Sequence, residues 1–282
     1  MVKIIADSTC DLSQELIKKY DITLLPLHVL LGEKDCKDGK EVNAEDIYKW
    51  ADENKTTPKT AAPSPQEVID LFESFAKDDT EIICFSISGE MSGTYSVMKL
   101  AKEEVKNEEK IYVIDSRNLS TGIGLLVLEA ATMAREGKTA KEIVEYLDTI
   151  KGKVRSSFVV DTLTYLHRGG RCSGVTAMAG NMMKLHPKII VTDGKMEVGK
   201  KYRGSISKSL LKYVRDMEDE LKNAKQDRVF ITHSGCEQSV VDEIYKYLEG
   251  LQVFDEILIT TAGCVISSHC GPGTLGVLYI KQ

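Results

Sequence analysis

Short apolar runs alternate with amphipathic stretches through the first half of the chain. Residues 2–6 form the first such run and read as a strand, with Asp7, Ser8 and Thr9 at its end. Asp11 or Ser13 can cap the helix that follows to Tyr20. Residues 22–31 are apolar and strand-like, but Pro26 lacks the N–H that a central, fully paired position needs. The polar run 32–40 reads as a loop. Asn43 caps a helix over 44–54, and 55–62 reads as extended or loop, carrying Thr56, Thr57 and Thr60. Ser64-Pro65-Gln66-Glu67 is a helix start with Ser at the cap, Pro at the first helical position and Glu three residues on. Residues 81–87 are a short buried strand that turns at Ser88 and Gly89 into a helix from Ser92. A further strand at 110–114, a long apolar helix from Ser120 to Arg135, and a helix opened by the capping box Thr139–Glu142 complete this half. The strand–helix alternation predicts a parallel sheet with helices on both faces, a Rossmann-like α/β domain over residues 1–155.

The second half changes character. Strands are expected at 157–160, 188–191, 195–202, 229–232, 257–261 and 277–280. Thr192-Asp193-Gly194 lies between two of them, and Asp-Gly is a hairpin signal. Helices are expected at 205–222 and 238–248. Hairpins mixed with helices predict an α+β domain over residues 156–282, so the fold class is α/β in two domains.

Composition narrows the function. With 42% hydrophobic residues the 282-residue chain can build a sizeable core, and its net charge of −6 disfavours nucleic acid or an anionic membrane as a partner. No stretch approaches the ~20 apolar residues of a membrane span, and the first residues lack a signal-peptide pattern. Seven cysteines, an odd number without a C-x-x-C pair, suit a reducing compartment. A cytoplasmic protein is expected, with no stable membrane insertion.

Hydroxyls recur where strands end: Ser8 and Thr9, Thr60, Ser92 and Thr94, Ser116, Thr261. The strand-to-helix turn at Ser92 presents hydroxyls and backbone N–H groups of a helix start, which suits an anion, although Ser92 can equally serve as a plain N-cap. Strand ends line the ligand crevice of open α/β sheets, so together these residues favour a small ligand with an oxygen-rich head. His269 lies in S-H-C-G-P-G-T-L-G, where a tight turn lets it donate to an anion or act as a base; otherwise it is a surface histidine beside a turn. Cys264, His269 and Cys270 fit no common zinc spacing, and no metal is expected. A hydrolase built from Ser92, His269 and Asp115 is the enzymatic alternative, although S-G-E-M-S-G is not a nucleophile elbow. Met178, Met182 and Met183 with Leu185 either fill core or wall a long aliphatic ligand. No nucleotide fingerprint is present.

Several motifs then carry a resemblance. A-D-S-T-C-D-L at 6–12, S-G-T-Y at 92–95, V-I-D-S at 113–116, G-G-R at 169–171 and H-C-G-P-G-T-L-G at 269–276 occur in order across the chain. In this combination the sequence resembles the DegV family. The resemblance implies two α/β domains with a long-chain fatty acid such as palmitate in a tunnel between them, presented to a separate fatty-acid kinase. It implies a binding protein rather than an enzyme, with the fatty acid as ligand and no cofactor. Carried over by motif, Thr60, Ser92 and Gly93 would meet the carboxylate and His269 would join their network. The family usually shows T-S-Q-P-S where this chain has Thr60-Ala61-Ala62-Pro63-Ser64, which removes two polar side chains beside Thr60. Arg171, after two glycines, is expected near the carboxylate. Arg203, within a run that includes Lys200, Lys201 and Lys208, is expected to dock the kinase or to blunt a strand edge. A monomer is expected.

Overall fold

The computed structural model describes residues 1–75, 80–173 and 185–282. β1 (Val2–Asp7) is buried along its last four residues and lies inside a parallel sheet. Ser13 caps α1 (Gln14–Lys19), and the chain returns as β2 (Thr23–Leu25) beside β1. Pro26 ends that pairing. Instead of one strand over 22–31, the chain leaves the sheet, and β3 (His28–Leu31) starts a separate three-stranded sheet between β4 (Lys34–Lys37) and β5 (Lys59–Ala61). The run expected as a loop is therefore partly strand. Its alternation is too short to read, because only Cys36 of β4 is buried.

α2 (Ala44–Asn54) has Asn43 as its N-cap, as expected, and Asp46 completes a capping box with it. α3 (Pro65–Phe75) starts where Ser64 and Glu67 exchange hydrogen bonds. β6 (Glu81–Ser86), α4 (Thr94–Glu103) and β7 (Ile111–Asp115) follow, then α5 (Thr121–Arg135) and α6 (Ala140–Ile150), the latter with its Thr139–Glu142 capping box. The strand order β2-β1-β6-β7 is parallel throughout and reverses direction between β1 and β6. Such a switch point opens a crevice at the strand C-termini. Asp7 spans this one, accepting from the Ile87 N–H at 2.7 Å. Burial pushes the Asp7 carboxyl up to about 6 against the hydrogen bonds it accepts from Thr9 and Ile87.

The second sheet is mixed. It contains β8 (Val154–Val159), β9 (Cys172–Ser173), the hairpin β10 (Leu185–Thr192) and β11 (Lys195–Arg203), β12 (Ala224–Ser234), β13 (Glu256–Thr261) and β14 (Thr274–Lys281), ordered β13-β12-β14-β8-β10-β11-β9. The hairpin turns at Asp193 and Gly194, both with positive φ (50° and 82°), as the Asp-Gly signal requires. Among the described residues four helices accompany the sheet, α7 (Thr164–Gly169), α8 (Ile206–Arg215), α10 (Gln238–Gly250) and α11 (Cys264–Cys270), with a short fifth, α9 (Glu218–Lys222). The single helix expected over 205–222 is thus broken near Met217. α11 was not expected at all, and His269 stands in its last turn rather than in the loop that follows. Met178, Met182 and Met183 lie outside the described residues.

α5 joins the two sheets. Every residue from Thr121 to Ala131 is buried, because the helix touches β1 and β6 on one side and β8 and β14 on the other. A helix apolar on all sides is stable only in such a position. The largest core cluster accordingly draws on both sheets, including Ile83 and Phe85 of β6 and Phe158 and Leu278 of β8 and β14.

Candidate functional site

A cavity opens where the two sheets meet, leaving about 160 Å³ for the centre of a water-sized sphere. One water needs only about 10–15 Å³ by that measure, so the space suits a larger occupant. Its walls come from both domains: Ile87, Met91 and Leu119 on one side, Phe158, Met196 and Leu278 on the other, with Val265 and Ile266 from α11. Phe158, Gly276 and Thr232 are register partners across β8, β14 and β12, and all three line it. Gly276 has no room for a side chain, because a Cβ there would come within 2.8 Å of the Ser157 carbonyl and 3.1 Å of the Phe158 Cβ on β8.

The polar groups on this cavity come from distant segments. Thr60, on β5 opposite Val29, holds its Oγ1 2.8 Å from His269 Nε2. The His269 Nδ1 is buried without a partner among the described residues. Gly169 lies directly against that nitrogen, and a Cβ at Gly169 would overlap it. This close approach explains the first glycine of G-G-R. Gly170 then takes the left-handed C-cap (φ 66°), which turns Arg171 onto the cavity with its Nη1 donating to the Gly169 carbonyl at 2.6 Å. Burial, with the Arg171 guanidinium adding to it, holds His269 down at about 4. The imidazole is therefore neutral near pH 7.

Ser92 and Gly93 line the same cavity at the entry to α4. The helix begins at Thr94 with Gly93 as N-cap, so Ser92 lies one residue ahead of the cap. Its Oγ accepts from the Thr94 N–H at 3.3 Å and lies 2.9 Å from Thr94 Oγ1. The Gly93 N–H meets no protein acceptor among the described residues. Helix N-terminal donors of this kind favour an anion.

Thr60, Ser92, Gly93, Arg171 and His269 are thus brought to one cavity, and Arg203 is not. Arg171 immediately precedes β9, whose Cys172 pairs with Met196 near the start of β11, whereas Arg203 ends that strand. Residues 196 and 203 are about 23 Å apart along it. Cys264 turns its thiol to the Val42 carbonyl (3.2 Å), at the opposite end of α11 from His269.

Two aspartates that sequence reasoning missed position α11. Its N-cap, Gly263, has no side chain to cap with. Instead Asp11 accepts from the Gly263 N–H (2.9 Å) and Asp38 from the Cys264 N–H (2.8 Å), across 252 and 226 residues. Asp11 also accepts from Ser120, itself on the cavity wall, and Asp38 from Ser8. Asp11 had a local explanation as a helix cap, and nothing local marks its real partner.

The hydrolase arrangement is not assembled. Ser92 is engaged with Thr94, His269 with Thr60, and Asp115 accepts from the N–H groups of Gly89 (3.2 Å) and Arg117 (2.8 Å). Asp115 ends β7 and turns back to cap the following loop, so it orients no histidine. With its conjugate acid near 4, His269 would also be a poor general base at neutral pH. The Ser92–His269–Asp115 alternative is therefore set aside.

Comparisons with known proteins agree with this fold. A DegV domain-containing protein of Caldanaerobacter subterraneus subsp. tengcongensis is 34% identical over 285 residues, covering 100% of this chain and 99% of the relative. A DegV family protein from Thermus thermophilus, described as fatty-acid binding, superposes with a TM-score of 0.90 at 28% identity, covering 100% of this chain and 99% of that one. A protein from Eubacterium ventriosum, described as binding stearic acid, superposes with a TM-score of 0.85 at 29% identity, covering 100% and 98%. The model of the DegV family matches residues 1–282, and the chain belongs to that family.

Proposed function

We propose that this protein binds one long-chain fatty acid in the cavity between its sheets and presents the carboxylate to a separate fatty-acid kinase. The observation that carries this reading is the gathering of Thr60, Ser92, Gly93 and His269 on a cavity whose other walls are largely apolar. The ligands named for the similar Thermus and Eubacterium proteins support it. In this reading the chain is a binding protein without catalytic residues. It acts as a cytoplasmic monomer, divided into domains at 1–155 and 156–282.

The energetics assign different work to the two ends of the ligand. Burying about fifteen methylenes at about 0.8 kcal/mol each gives about 12 kcal/mol gross. A hydrogen bond to the charged head adds about 1.5–3 kcal/mol. The tail supplies most of the affinity and the hydroxyls set the orientation. For Thr60 to donate to a carboxylate, His269 has to carry its proton on Nε2 and donate to Thr60 Oγ1, which frees the threonine proton for the ligand. Arg171 is then the cation near the carboxylate and an incoming phosphate, while Arg203 belongs to a surface that meets the kinase.

Native mass spectrometry with lipid extraction tests the binding directly, and a stoichiometric acyl chain is expected. Protein that carries no fatty acid and takes up none when it is added would overturn the reading. Ser92→Ala and Thr60→Ala should each weaken binding by about 1–3 kcal/mol without unfolding the chain. Unchanged affinity in both would move the head group elsewhere.

A further inference from the structure

His28 lies on β3 opposite Ala61 of β5, behind the strand that carries Thr60. Both of its ring nitrogens face carboxylates: Nδ1 is 2.7 Å from Asp35 on β4, and Nε2 is 3.1 Å from Glu67 in the first turn of α3. Carboxylate oxygens only accept, and a neutral imidazole has a single N–H. Both contacts are satisfied only when the ring is an imidazolium. Glu67 is ionised as well; burial opposes its charge, but Lys37, Ser64 and His28 outweigh it and hold the carboxyl down at about 2.

The placement of this ion pair bears on Thr60. β5 is three residues long and, among the described residues, pairs with β3 alone, at the edge of its sheet. Three residues later Ser64 opens α3, where Glu67 accepts from both the N–H and the hydroxyl of Ser64 (2.9 Å each). The His28–Glu67 contact therefore ties together the two ends of the segment that carries Thr60 onto the cavity. We propose that His28 is a positioning residue for Thr60: as an imidazolium donating to Asp35 and Glu67, it locks β3 onto the start of α3 and so sets β5 and its threonine hydroxyl at the head-group site. This rests on the fatty-acid reading of the cavity.

The clamp is sensitive to pH. Burial disfavours the charged ring, but its hydrogen bonds to Asp35 and Glu67 and their charges outweigh that and raise its pKa. A pKa raised on folding contributes stability that is complete below about 6.5 and is lost as pH rises through the folded value. The other charged groups around it are Lys37 on β4, paired with Glu67 at 2.8 Å, and the two carboxylates. The opposite face of the sheet, Val29 and Cys36, packs on Cys264 and Val265 of α11, where burial pushes the Cys264 thiol up to about 12. From the same helix His269 meets Thr60, held down at about 4 by burial and then Arg171.

The test is a titration of palmitate affinity from about pH 6 to about pH 9. It is run on the wild type, His28→Gln, Thr60→Ala, the double variant and Asp35→Asn. Wild-type affinity should fall about fivefold across the range, less than the loss of a whole hydrogen bond to the charged head group, because a loosened β5 misplaces the Thr60 hydroxyl without removing it. His28→Gln should bind about fivefold more weakly at the low end and lose the pH dependence. Asp35→Asn should shift the midpoint to lower pH. In the Thr60→Ala background, adding His28→Gln should change little, since the positioned hydroxyl is already gone. A flat wild-type profile, or full additivity of the two substitutions, overturns the proposal. Nitrogen-15 NMR of the imidazole separates this inference from the functional reading. If the wild type binds no fatty acid, the ring should still show two N–H groups at neutral pH, and a single N–H there overturns the clamp.

Discussion

α5 lies between the two large sheets and α11 packs against α2, α7 and the three-stranded sheet, and they are held in place by different physics. α5 is buried from Thr121 to Ala131 by apolar contacts to strands on both sides, so its place follows from the residues it contains. α11 has seven residues, no side chain at its N-cap, and an N-terminus held by Asp11 and Asp38 from the far end of the chain. Isolated helices much shorter than ~12–15 residues are marginal in water, so α11 exists because tertiary partners complete it. Hydrophobic burial is non-directional and fixes the architecture. The aspartate contacts are directional and fix where His269 meets Thr60.

The comparison breaks most visibly in α5. Leu125→Ala should cost about 2–5 kcal/mol, because the side chain is fully buried between packed layers. Chemical denaturation would show a lower midpoint at an unchanged m-value. A loss below about 1 kcal/mol would mean that the seam can collapse around the missing atoms.

Asp11→Ala removes the acceptor shared by Gly263 and Ser120 and should cost about 1–3 kcal/mol in stability. It should also weaken fatty-acid binding by displacing His269. Asp11→Asn keeps an amide oxygen for the Gly263 N–H and should recover most of both losses. If the alanine variant keeps wild-type stability and affinity, α11 is held by packing like α5, and the distinction drawn between them fails.

Arg203→Ala should change stability by no more than about 0.5 kcal/mol, since the side chain is exposed at a strand end. Fatty-acid affinity should stay at wild type while acyl-phosphate formation with the kinase slows, more so at low salt. An unaltered rate across salt concentrations would assign Arg203 to edge protection alone.

The parallel sheet, its flanking helices and the Asp193-Gly194 hairpin were legible because each depends on neighbours in sequence. Residue spacing gives the apolar periodicity, Thr139 and Glu142 close their own capping box, and Asp-Gly selects its turn. The hydroxyls at Thr60 and Ser92 were legible as candidates from local position, Thr60 in an extended or loop stretch and Ser92 at a strand-to-helix turn, and from the motifs shared with the family. Their convergence was not. Thr60 and His269 meet across 209 residues, His269 stands on a helix completed by Asp11 and Asp38, and His28 is held between carboxylates from two other elements. Local spacing determined which segments became strands and helices. Only the tertiary structure decided which polar groups face one another, because a hydrogen bond depends on distance and angle in space, and linear spacing carries neither across such separations.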